Sequence, residues 1–420
     1  MSAILASVED TQCEERTMTI DHDTRPVRLD QDFFDDPDEL YRRLRDESPV
    51  VRATGPNGLT FWMITRYADA RAALNDPRLQ KDSRRLPEVL QRQGATSIRQ
   101  FADSLVAHML NADPPDHTRL RKLVGRAFTV RAIARLRPRI EQIATELADA
   151  AEQAGPELDL LDHFAFPLPM TVISEILGVP GDRRDDFRHW SNLLLSSGPD
   201  EERGAAAASM AQFLSALVAE KSAHPGDDML SEIVRASEDG DSLSPTEVTA
   251  MAFLLLVAGH ETTVNLIGNG VLALLRDPDQ HVRLRADPDR VPQAVEEFLR
   301  YDGPVNLATI RFTDEPVEYS GVRIPAGEVV LVSLIGANRD PERYPDPQRF
   351  DPDRDTSGHL AFGYGIHHCL GAPLARLEAD VAFRTLLARF PDMTLAGAPG
   401  QHRQSTLIHS LTALPVRLHP

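Results

Sequence analysis

One segment of the chain limits the possible folds more than any other, a continuous helical pattern from Ser244 to about Arg276. It opens with SPTE at 244–247, which predicts a capping box with proline in the first turn, and Asp277-Pro278 ends it. At 1.5 Å per residue, about 32 residues make a rod roughly 48 Å long. Residues 251–258 are apolar on nearly every face, so the rod should cross the core. We therefore expect a mainly helical protein built around this rod.

The rest of the chain combines helical patterns with a few short β-rich stretches. From Asp36 to Glu247 the pattern is mostly helical and opens with a cap, an N1 proline and an N3 acid at Asp36–Glu39. This combination predicts a mainly α fold with small β-sheets at its edge. Residues 1–24 are polar and aperiodic, which predicts a disordered tail, and residues 25–420 are expected to form one domain. The predicted strands are 50–53, 60–65, 306–312, 317–324 and 329–335, with two more near Leu407 and Val416.

Charge and cysteine content narrow the functional classes. Lys and Arg total 45 against 64 for Asp and Glu, a net charge of -19, which argues against nucleic-acid binding. The two cysteines, Cys13 and Cys369, make no disulfide framework and fit a reducing cytoplasm. The longest apolar run, 251–259, is about half of a membrane span, and the N-terminus has no signal-peptide core. We expect a soluble cytoplasmic protein without a membrane anchor.

Cys369 lies in a glycine-rich loop, FGYGIHHCLG at 362–371, just before a helix that starts at Ala372-Pro373. A helix N-terminus offers free N–H groups and a positive dipole end, both of which stabilise a thiolate. Gly371 lets backbone donors approach the sulfur. A lone thiolate is a poor structural zinc site but suits an axial haem ligand. The competing interpretation, an inert buried cysteine, is disfavoured by the surrounding ten residues.

Phe362, Gly365, Cys369 and Gly371 match every defining position of the haem-binding signature of cytochromes P450, which this segment resembles. With three further motifs in the family's order, the resemblance covers almost the whole chain from about Asp30. It implies a cytochrome P450 fold in which the long helix crosses over haem b, with Cys369 as the ligand of the iron and Phe362, Gly365 and Gly371 beside the cofactor.

The same resemblance implies a monooxygenase that inserts one oxygen atom from O2 into a C–H or C=C bond of a hydrophobic small molecule. No flavin or NAD(P)-binding region is evident, so NAD(P)H-derived electrons are expected from a separate ferredoxin and ferredoxin reductase. The protein is expected to be a monomer. In general style the chain resembles actinobacterial enzymes that tailor macrolides and other secondary metabolites by hydroxylation or epoxidation.

The centre of the long helix carries a polar insertion, AGHETT at 258–263. Glycine weakens a helix and a threonine hydroxyl competes for a backbone carbonyl, so the helix should loosen here. By resemblance, Glu261 and Thr262 are the acid and alcohol that deliver protons to dioxygen, and Ala258 faces the haem. A tolerated polar patch is the competing interpretation. A zinc-protease H-E-x-x-H motif is excluded because Val264 occupies its fifth position.

Glu297 and Arg300 are three residues apart, so they share one face of a predicted helix and can pair. Most such pairs are surface features worth about 0–1 kcal/mol. In the family, however, a Glu-x-x-Arg pair is buried and is joined by an arginine from a later segment, which Arg354 resembles. The resemblance implies a structural triad that holds the thiolate loop. Glu296 is also four residues from Arg300, but the motif spacing selects Glu297.

A basic stretch from Arg119 to Arg139 contains eight Lys or Arg residues and no acid. Just before and within it, His117 and Arg121 fall on one helical face, and by resemblance they bind the haem propionates together with Arg311 and His367. Arg119, Lys122 and Arg126 could instead steer an acidic electron donor such as a ferredoxin. A solvated basic face is an equally open interpretation for these three residues.

The substrate pocket is predicted only from family position, along 86–105, 193–206, 305–309 and 408–411. Many relatives carry Arg-Gly where this chain has His409-Ser410. Two other functions stay open from the sequence: a peroxide-driven haem-thiolate oxygenase and a non-catalytic haem sensor or carrier. The individual residues expected in the pocket are Val305, Leu307, Ala308, Ile408 and His409.

Overall fold

The computed structural model describes residues 26–93, 103–126, 128–195, 200–236 and 242–419. The predicted tail, Cys13 and parts of two predicted pocket segments lie outside these residues. Helices dominate the described part of the chain, as predicted. Their bounds are α1 Gln31–Asp35, α2 Pro37–Glu47, α3 Tyr67–Leu74, α4 Leu86–Arg92, α5 Asp103–Val106, α6 Asp116–Gly125, α7 Val130–Ala134, α8 Arg137–Ala154, α9 Pro167–Leu177, α10 Arg184–Leu195, α11 Asp200–Ala223, α12 Met229–Ala236, α13 Pro245–Arg276, α14 Pro278–Ala286, α15 Val291–Asp302, α16 Leu334–Asn338 and α17 Ala372–Arg389.

The strands are short and form three small sheets. The largest has six strands in the order β1-β2-β3-β9-β6-β4, the second has the order β10-β11-β5, and β7 with β8 makes a hairpin. Their bounds are β1 Val27–Arg28, β2 Val50–Thr54, β3 Thr60–Ile64, β4 Leu79–Gln80, β5 Glu157–Asp159, β6 Arg311–Thr313, β7 Val317–Tyr319, β8 Val322–Ile324, β9 Val329–Val332, β10 Thr394–Leu395 and β11 Pro415–Arg417.

The long helix α13 organises the largest hydrophobic core. The predicted capping box is confirmed, because the Ser244 N–H donates to Glu247 Oε2 at 2.7 Å and the Glu247 N–H donates to Ser244 Oγ at 3.2 Å. The helix packs against α5, α9, α11, α15 and α17. Its length and mean hydropathy of 1.5 would suit a membrane span. However, 72% of its most apolar 18-residue stretch is buried inside the protein, as in a core helix.

Gly259 allows α9 to approach the centre of α13. A Cβ added at this position would lie 3.0 Å from the Ile173 side chain. The sequence predicted that α13 would loosen at its centre, but the structure shows one continuous α-helix there. Thr262 Oγ1 donates to the Ala258 carbonyl at 2.8 Å. The Thr262 hydroxyl therefore adds a hydrogen bond to the Ala258 carbonyl without interrupting the helix.

Four predicted strands differ from the observed ones. The strand predicted over 306–312 is reduced to β6 at Arg311–Thr313, and none forms at Leu407, where Val305 and Leu307 make only isolated bridges, to Ile408 and Ser333. The other two differ for local reasons. The strand predicted over 329–335 ends at Val332, because the Ser333 hydroxyl caps α16 by accepting from the Gly336 N–H at 2.9 Å. The strand predicted over 317–324 is a hairpin, since Ser320 and Gly321 adopt left-handed backbone conformations with φ of 47° and 76°.

Candidate active site

The loop before α17 has a geometry that only its glycines allow. Gly363 and Gly365 have φ of 71° and 75°, a region that residues with a Cβ rarely adopt. A Cβ on Gly365 would also lie 2.7 Å from Asn75 Oδ1. The loop closes on itself through the Cys369 N–H, which donates to the Phe362 carbonyl at 2.8 Å. Cys369 is thereby held three residues before α17 begins at Ala372.

The Cys369 thiol is accessible, yet burial by the surrounding protein raises its pKa. Both observations hold for a thiol that lines an internal cleft. The backbone N–H groups of Gly371 and Ala372 bond to the sulfur and, with the charges of Arg121 and Arg376, favour the thiolate. A low-polarity site that still directs two donors and two cations at one sulfur suits an anionic metal ligand.

The central turn of α13 presents a strip of accessible atoms on an otherwise buried helix. Ala258 is exposed and Thr262 is half-buried, one turn apart on the same face, while His260, Glu261 and Thr263 are buried. An accessible strip within a core helix marks the wall of an internal space. Ala258 and Thr262 therefore line a cleft rather than the outer surface.

Glu261 is held by a residue that the sequence did not indicate. Its Oε1 accepts from Arg403 Nη1 at 3.2 Å, and the same nitrogen donates to Asn192 Oδ1 on α10 at 3.0 Å. On its other side, Oε2 lies 3.7 Å from His260 Nε2. Burial lowers the pKa of His260, so this imidazole is neutral at pH 7 and Arg403 is the cation that pairs with the acid.

The four predicted propionate ligands fall into one cationic cluster. The rings of His117 and His367 are in contact, with centroids 4.4 Å apart and planes tilted by 60°, and Arg121 Nη2 donates to the His368 carbonyl at 2.6 Å. Arg311 is buried, and burial lowers its pKa to about 10. The structure adds Lys81, which is also buried and whose charge acts on Arg311, His117 and His367.

This cluster has the donor set that a haem would need. The buried His117 Nε2 has no hydrogen-bond partner. In the residues that the structure describes, neither Arg311 nor Lys81 has a carboxylate within ion-pair distance. Buried cations are stable only with anionic partners. The cluster and the thiol of the neighbouring loop thus fit a group that carries carboxylates and a metal.

The three residues of the predicted structural triad lie together. Arg300 makes a bidentate pair with Glu297, with Nε–Oε2 and Nη2–Oε1 both 2.7 Å, and both side chains are fully buried. Arg354 Nε lies 3.5 Å from Glu297 Oε1, and the Asp351 N–H donates to the same oxygen at 2.9 Å. The triad fixes the segment after α16 against α15.

Glu296 is the acid connected to the cysteine loop, through Arg376 and His359. The motif spacing had selected Glu297 instead. Glu296 accepts from Arg376 at 2.6 and 2.9 Å and from His359 at 3.0 Å. The Arg376 guanidinium lies 4.5 Å from the centre of the Phe362 ring. Burial would raise the pKa of Glu296, but the hydrogen bonds from His359 and Arg376 overcome it and lower the pKa to about 2.

The residues expected in the substrate pocket divide into two groups. Val305 and Ile408 face each other in an isolated β-bridge, and Ala308 follows on the same segment. Leu307 is packed in a core cluster with Phe61 and Phe312. His409 is buried, with its Nε2 3.1 Å from Asp302 Oδ1 and its ring stacked on His402. The side chains of Leu307 and His409 thus have structural partners of their own.

A protein-family model described as Cytochrome P450 matches residues 188–407. Cytochrome P450 107B1 of Saccharopolyspora erythraea is 53% identical over 93% of this chain and 97% of its own length. The chain belongs to the cytochrome P450 family. Vitamin D(3) 25-hydroxylase of Pseudonocardia autotrophica is 50% identical over 92% of this chain and 95% of its own. The tirandamycin C-bound P450 monooxygenase TamI has a TM-score of 0.88 at 48% identity, covering 94% of this chain and all of that one.

Membership of the cytochrome P450 family settles the reaction class. This P450 is a haem-thiolate monooxygenase, and the cofactor of the family is haem with a cysteine thiolate on the iron. The prediction of family, fold and enzyme class is therefore confirmed.

Proposed function

We propose that Cys369 would supply the thiolate that binds the haem iron in this P450. The observation that carries the proposal is the convergence of the Gly371 and Ala372 N–H groups and two arginine charges on its sulfur. When bound, the haem supplies the activation of dioxygen, with two electrons and two protons, so that one oxygen atom enters the substrate and the other leaves as water.

The remaining cofactor contacts follow from the cationic cluster. His117, Arg121, Arg311 and His367 would hold the two propionates, and the accessible Ala258 would contact the cofactor from α13. Phe362, Gly365 and Gly371 shape the loop that positions Cys369. Charge-assisted bonds to carboxylates are the strong kind, so several of them together hold the cofactor against loss.

Glu261 and Thr262 supply the protons. Thr262 Oγ1 donates to the Ala258 carbonyl at 2.8 Å, which leaves its lone pairs free to accept a proton donor from the cleft. Glu261 precedes Thr262 in the sequence. Its side chain is buried and accepts a hydrogen bond from Arg403. Its carboxylate can accept a proton when it turns from Arg403 and release it toward the Thr262 side. The pair therefore moves protons inward while the apolar wall of α13 excludes bulk water.

The substrate is a hydrophobic small molecule of the size of a polyketide or a secosteroid. The names of vitamin D(3) 25-hydroxylase and of the tirandamycin C-bound enzyme support this class. We place the substrate against Val305, Ala308 and Ile408, with Leu307 and His409 supporting the same segments from behind. Tailoring of a macrolide or another secondary metabolite by hydroxylation or epoxidation is the expected reaction.

Electrons come from NAD(P)H through a ferredoxin reductase and a ferredoxin that docks near Lys122 and Arg126, both exposed on or beside α6. Arg119 is less suited to this role, because it pairs with Glu247 and donates to the Ser242 carbonyl at 3.2 Å. A groove of about 1060 Å³ lies beside the cysteine loop, and Arg71 on its wall offers a further cation to an acidic partner.

The carbon monoxide difference spectrum of the reduced protein tests the ligand. We expect the strongly red-shifted Soret band of a thiolate-ligated haem, and its loss in Cys369→Ser, because an alcohol does not replace the thiolate. A control, Ser242→Ala outside the loop, should keep the band. A histidine-like carbonyl spectrum in freshly prepared wild-type protein would overturn the assignment of Cys369.

Turnover assays test the oxygenase itself. With ferredoxin, its reductase and NADPH, hydrophobic polyketides and secosteroids that shift the spin state of the haem should yield products one oxygen atom heavier. Turnover with peroxide alone would favour the peroxide-driven alternative, and haem binding without any product would favour a sensor or carrier.

A further inference from the structure

Lys81 and Arg311 are direct neighbours across two strands. Strand β4 pairs with β6 in antiparallel register, Leu79 opposite Thr313 and Gln80 opposite Phe312. One step further in the same register, Lys81 stands opposite Arg311. Residues in such positions point to the same side of the sheet, and like charges placed there repel each other. This arrangement is unfavourable unless an anion lies between the two cations.

Both side chains are withdrawn from solvent, with 4% of each residue exposed. Asp113 is the acid whose charge acts on both of them. Its Oδ2, however, already accepts from the backbone N–H groups of Lys81 and Asp82, at 2.9 and 3.0 Å. Within the described residues, no carboxylate forms an ion pair with either side chain. Burial and the neighbouring charge of Arg311 lower the pKa of Lys81 well below its usual value, so the ammonium form needs an anionic ligand beside it.

Thr309 orients the two cations together. Its hydroxyl bonds to Lys81 Nζ, and its backbone carbonyl accepts from Arg311 Nη1 at 3.2 Å. Each cation donates one of its own N–H groups to Thr309. Two N–H groups of the Lys81 ammonium and most of those of the Arg311 guanidinium therefore remain for a ligand. A single residue thus holds both groups at the end of the pocket segment 305–309.

We propose that Lys81 and Arg311 form a two-cation clamp that binds one carboxylate group. The inference rests on the proposed function and adds Lys81 to the cofactor contacts predicted from the sequence. A haem propionate is the expected carboxylate, because His117 and His367 belong to the same cluster and Lys81 acts on both. A carboxylate of the substrate is the other source of the same chemistry, since Thr309 ends the pocket segment.

The experiment compares Lys81→Gln and Lys81→Met with the wild-type holoenzyme. The glutamine keeps a donor for Thr309 without the charge, and the methionine removes both. Arg84→Met is the matched control: it lies three residues away, removes the same charge, and has a side chain that is 72% exposed. The wild-type carbonyl spectrum is recorded first, so that a failure of Cys369 ligation is recognised separately.

Two readouts address the haem. The rate of haem transfer to excess apomyoglobin should rise about 10- to 100-fold in both Lys81 variants, the range expected for loss of a charge-assisted bond to a carboxylate. The reduction potential should fall, because removing a buried positive charge favours the ferric state. Arg84→Met should change neither quantity beyond a factor of about two.

A third readout addresses the substrate. Spin-state titrations with dodecanoic acid and with its methyl ester measure whether Lys81 binds a ligand carboxylate. If only the acid loses affinity in the Lys81 variants while haem transfer and potential match Arg84→Met, the clamp binds the substrate. If haem transfer, potential and both titrations match the control, the clamp does not bind a carboxylate and the proposal is overturned.

Discussion

At the scale of single residues, the acid on α13 is defined by its partner as much as by its own position. A buried carboxylate is costly unless a cation neutralises it, and Arg403 supplies that cation from a loop 142 residues away in sequence. Asn192 holds the same guanidinium nitrogen from α10. The position of the Glu261 carboxylate therefore depends on where α10 and the C-terminal loop place Arg403.

Replacing Arg403 tests this dependence. In Arg403→Ala the buried carboxylate loses the cation that positions it, so proton delivery to the cleft should slow. We expect kcat to fall about 10-fold, less than the roughly 10²–10⁴-fold effect of losing a general acid or base itself, because Glu261 is still present, with little change in substrate KM. Arg403→Lys should restore most of the loss. A decrease in kcat that Arg403→Lys does not restore would mean that Arg403 has only a structural role.

A second buried acid has no ion-pair partner among the residues that the structure describes. Glu378 on α17 is buried, its Oε2 has no hydrogen-bond partner, and burial raises its pKa well above the usual value. Its protonated form is therefore favoured in the folded protein. The free energy of unfolding is not reduced by Glu378 below about pH 4.5, and it falls as the pH rises and ionisation of the buried acid becomes favourable in the unfolded chain.

The variant Glu378→Gln cannot ionise, which isolates this effect. Between pH 5 and pH 8 its stability relative to the wild type should improve by at most about 1.4 kcal/mol per pH unit, the limit for one proton. Thermal unfolding midpoints of both proteins across this range measure the change. A constant difference between them would show that Glu378 ionises equally in both states.

At the scale of elements, α15 carries two consecutive acids that anchor different parts of the site. Glu297 pairs with Arg300 and holds the segment after α16, while Glu296 pairs with Arg376 on α17 and reaches Phe362 through it. Because Arg376 lies seven residues after Cys369, the Glu296 pair couples α15 to the helix whose first turn faces the sulfur.

Glu296→Gln should weaken this coupling in a pH-dependent way. The pKa of Glu296 is lowered to about 2, so its contribution is present above about pH 4.5 and is lost as the pH falls toward 2. We expect the variant to be less stable by about 2–3 kcal/mol at pH 7 and by much less near pH 3. The urea midpoint for loss of the thiolate carbonyl band measures it. Glu39→Gln, which removes an exposed pair with Arg42, should change it little.

Local signals explain which elements the sequence predicted well. Ser244 and Asp36 cap their helices through backbone contacts two or three residues away, so a short motif contains the whole signal. Strand β4 has two residues and exists because Phe312 and Thr313 pair with it. Such a strand has no periodicity to recognise, and the prediction missed it.

At the scale of the whole molecule, the site combines motifs that are local with contacts that are not. Cys369, Glu261 and Thr262 were predicted because each lies in a short segment with a characteristic pattern. Lys81, Arg403 and Arg376 were not, because their partners lie 228, 142 and 80 residues away. Side-chain pairs of this kind appear only when the fold brings distant segments together.

The charge distribution of the whole protein predicts how the electron donor binds. The net charge is -19, yet Lys122 and Arg126 are exposed cations on or beside α6, the helix whose Arg121 bonds to the His368 carbonyl. Lys122→Glu with Arg126→Glu should raise the KM for an acidic ferredoxin about 10-fold or more at low salt, and the effect should shrink as salt screens it. Steady-state kinetics against ferredoxin concentration at two ionic strengths measure this. An unchanged KM would place the docking surface elsewhere, and substrate affinity should stay constant as the control.

The anchors of the segment after α16 contact its main chain rather than its side chains. Arg300 donates to the carbonyls of Asn338 and Pro347, and Arg354 donates to that of Asp346. A scaffold held in this way places few demands on the identity of the residues it holds. Exposed positions such as Gln348 are consequently suitable points for attaching a label, a surface tether or a fused redox module. The main chain of this segment is held by Arg300 and Arg354 whatever side chain stands at such a position.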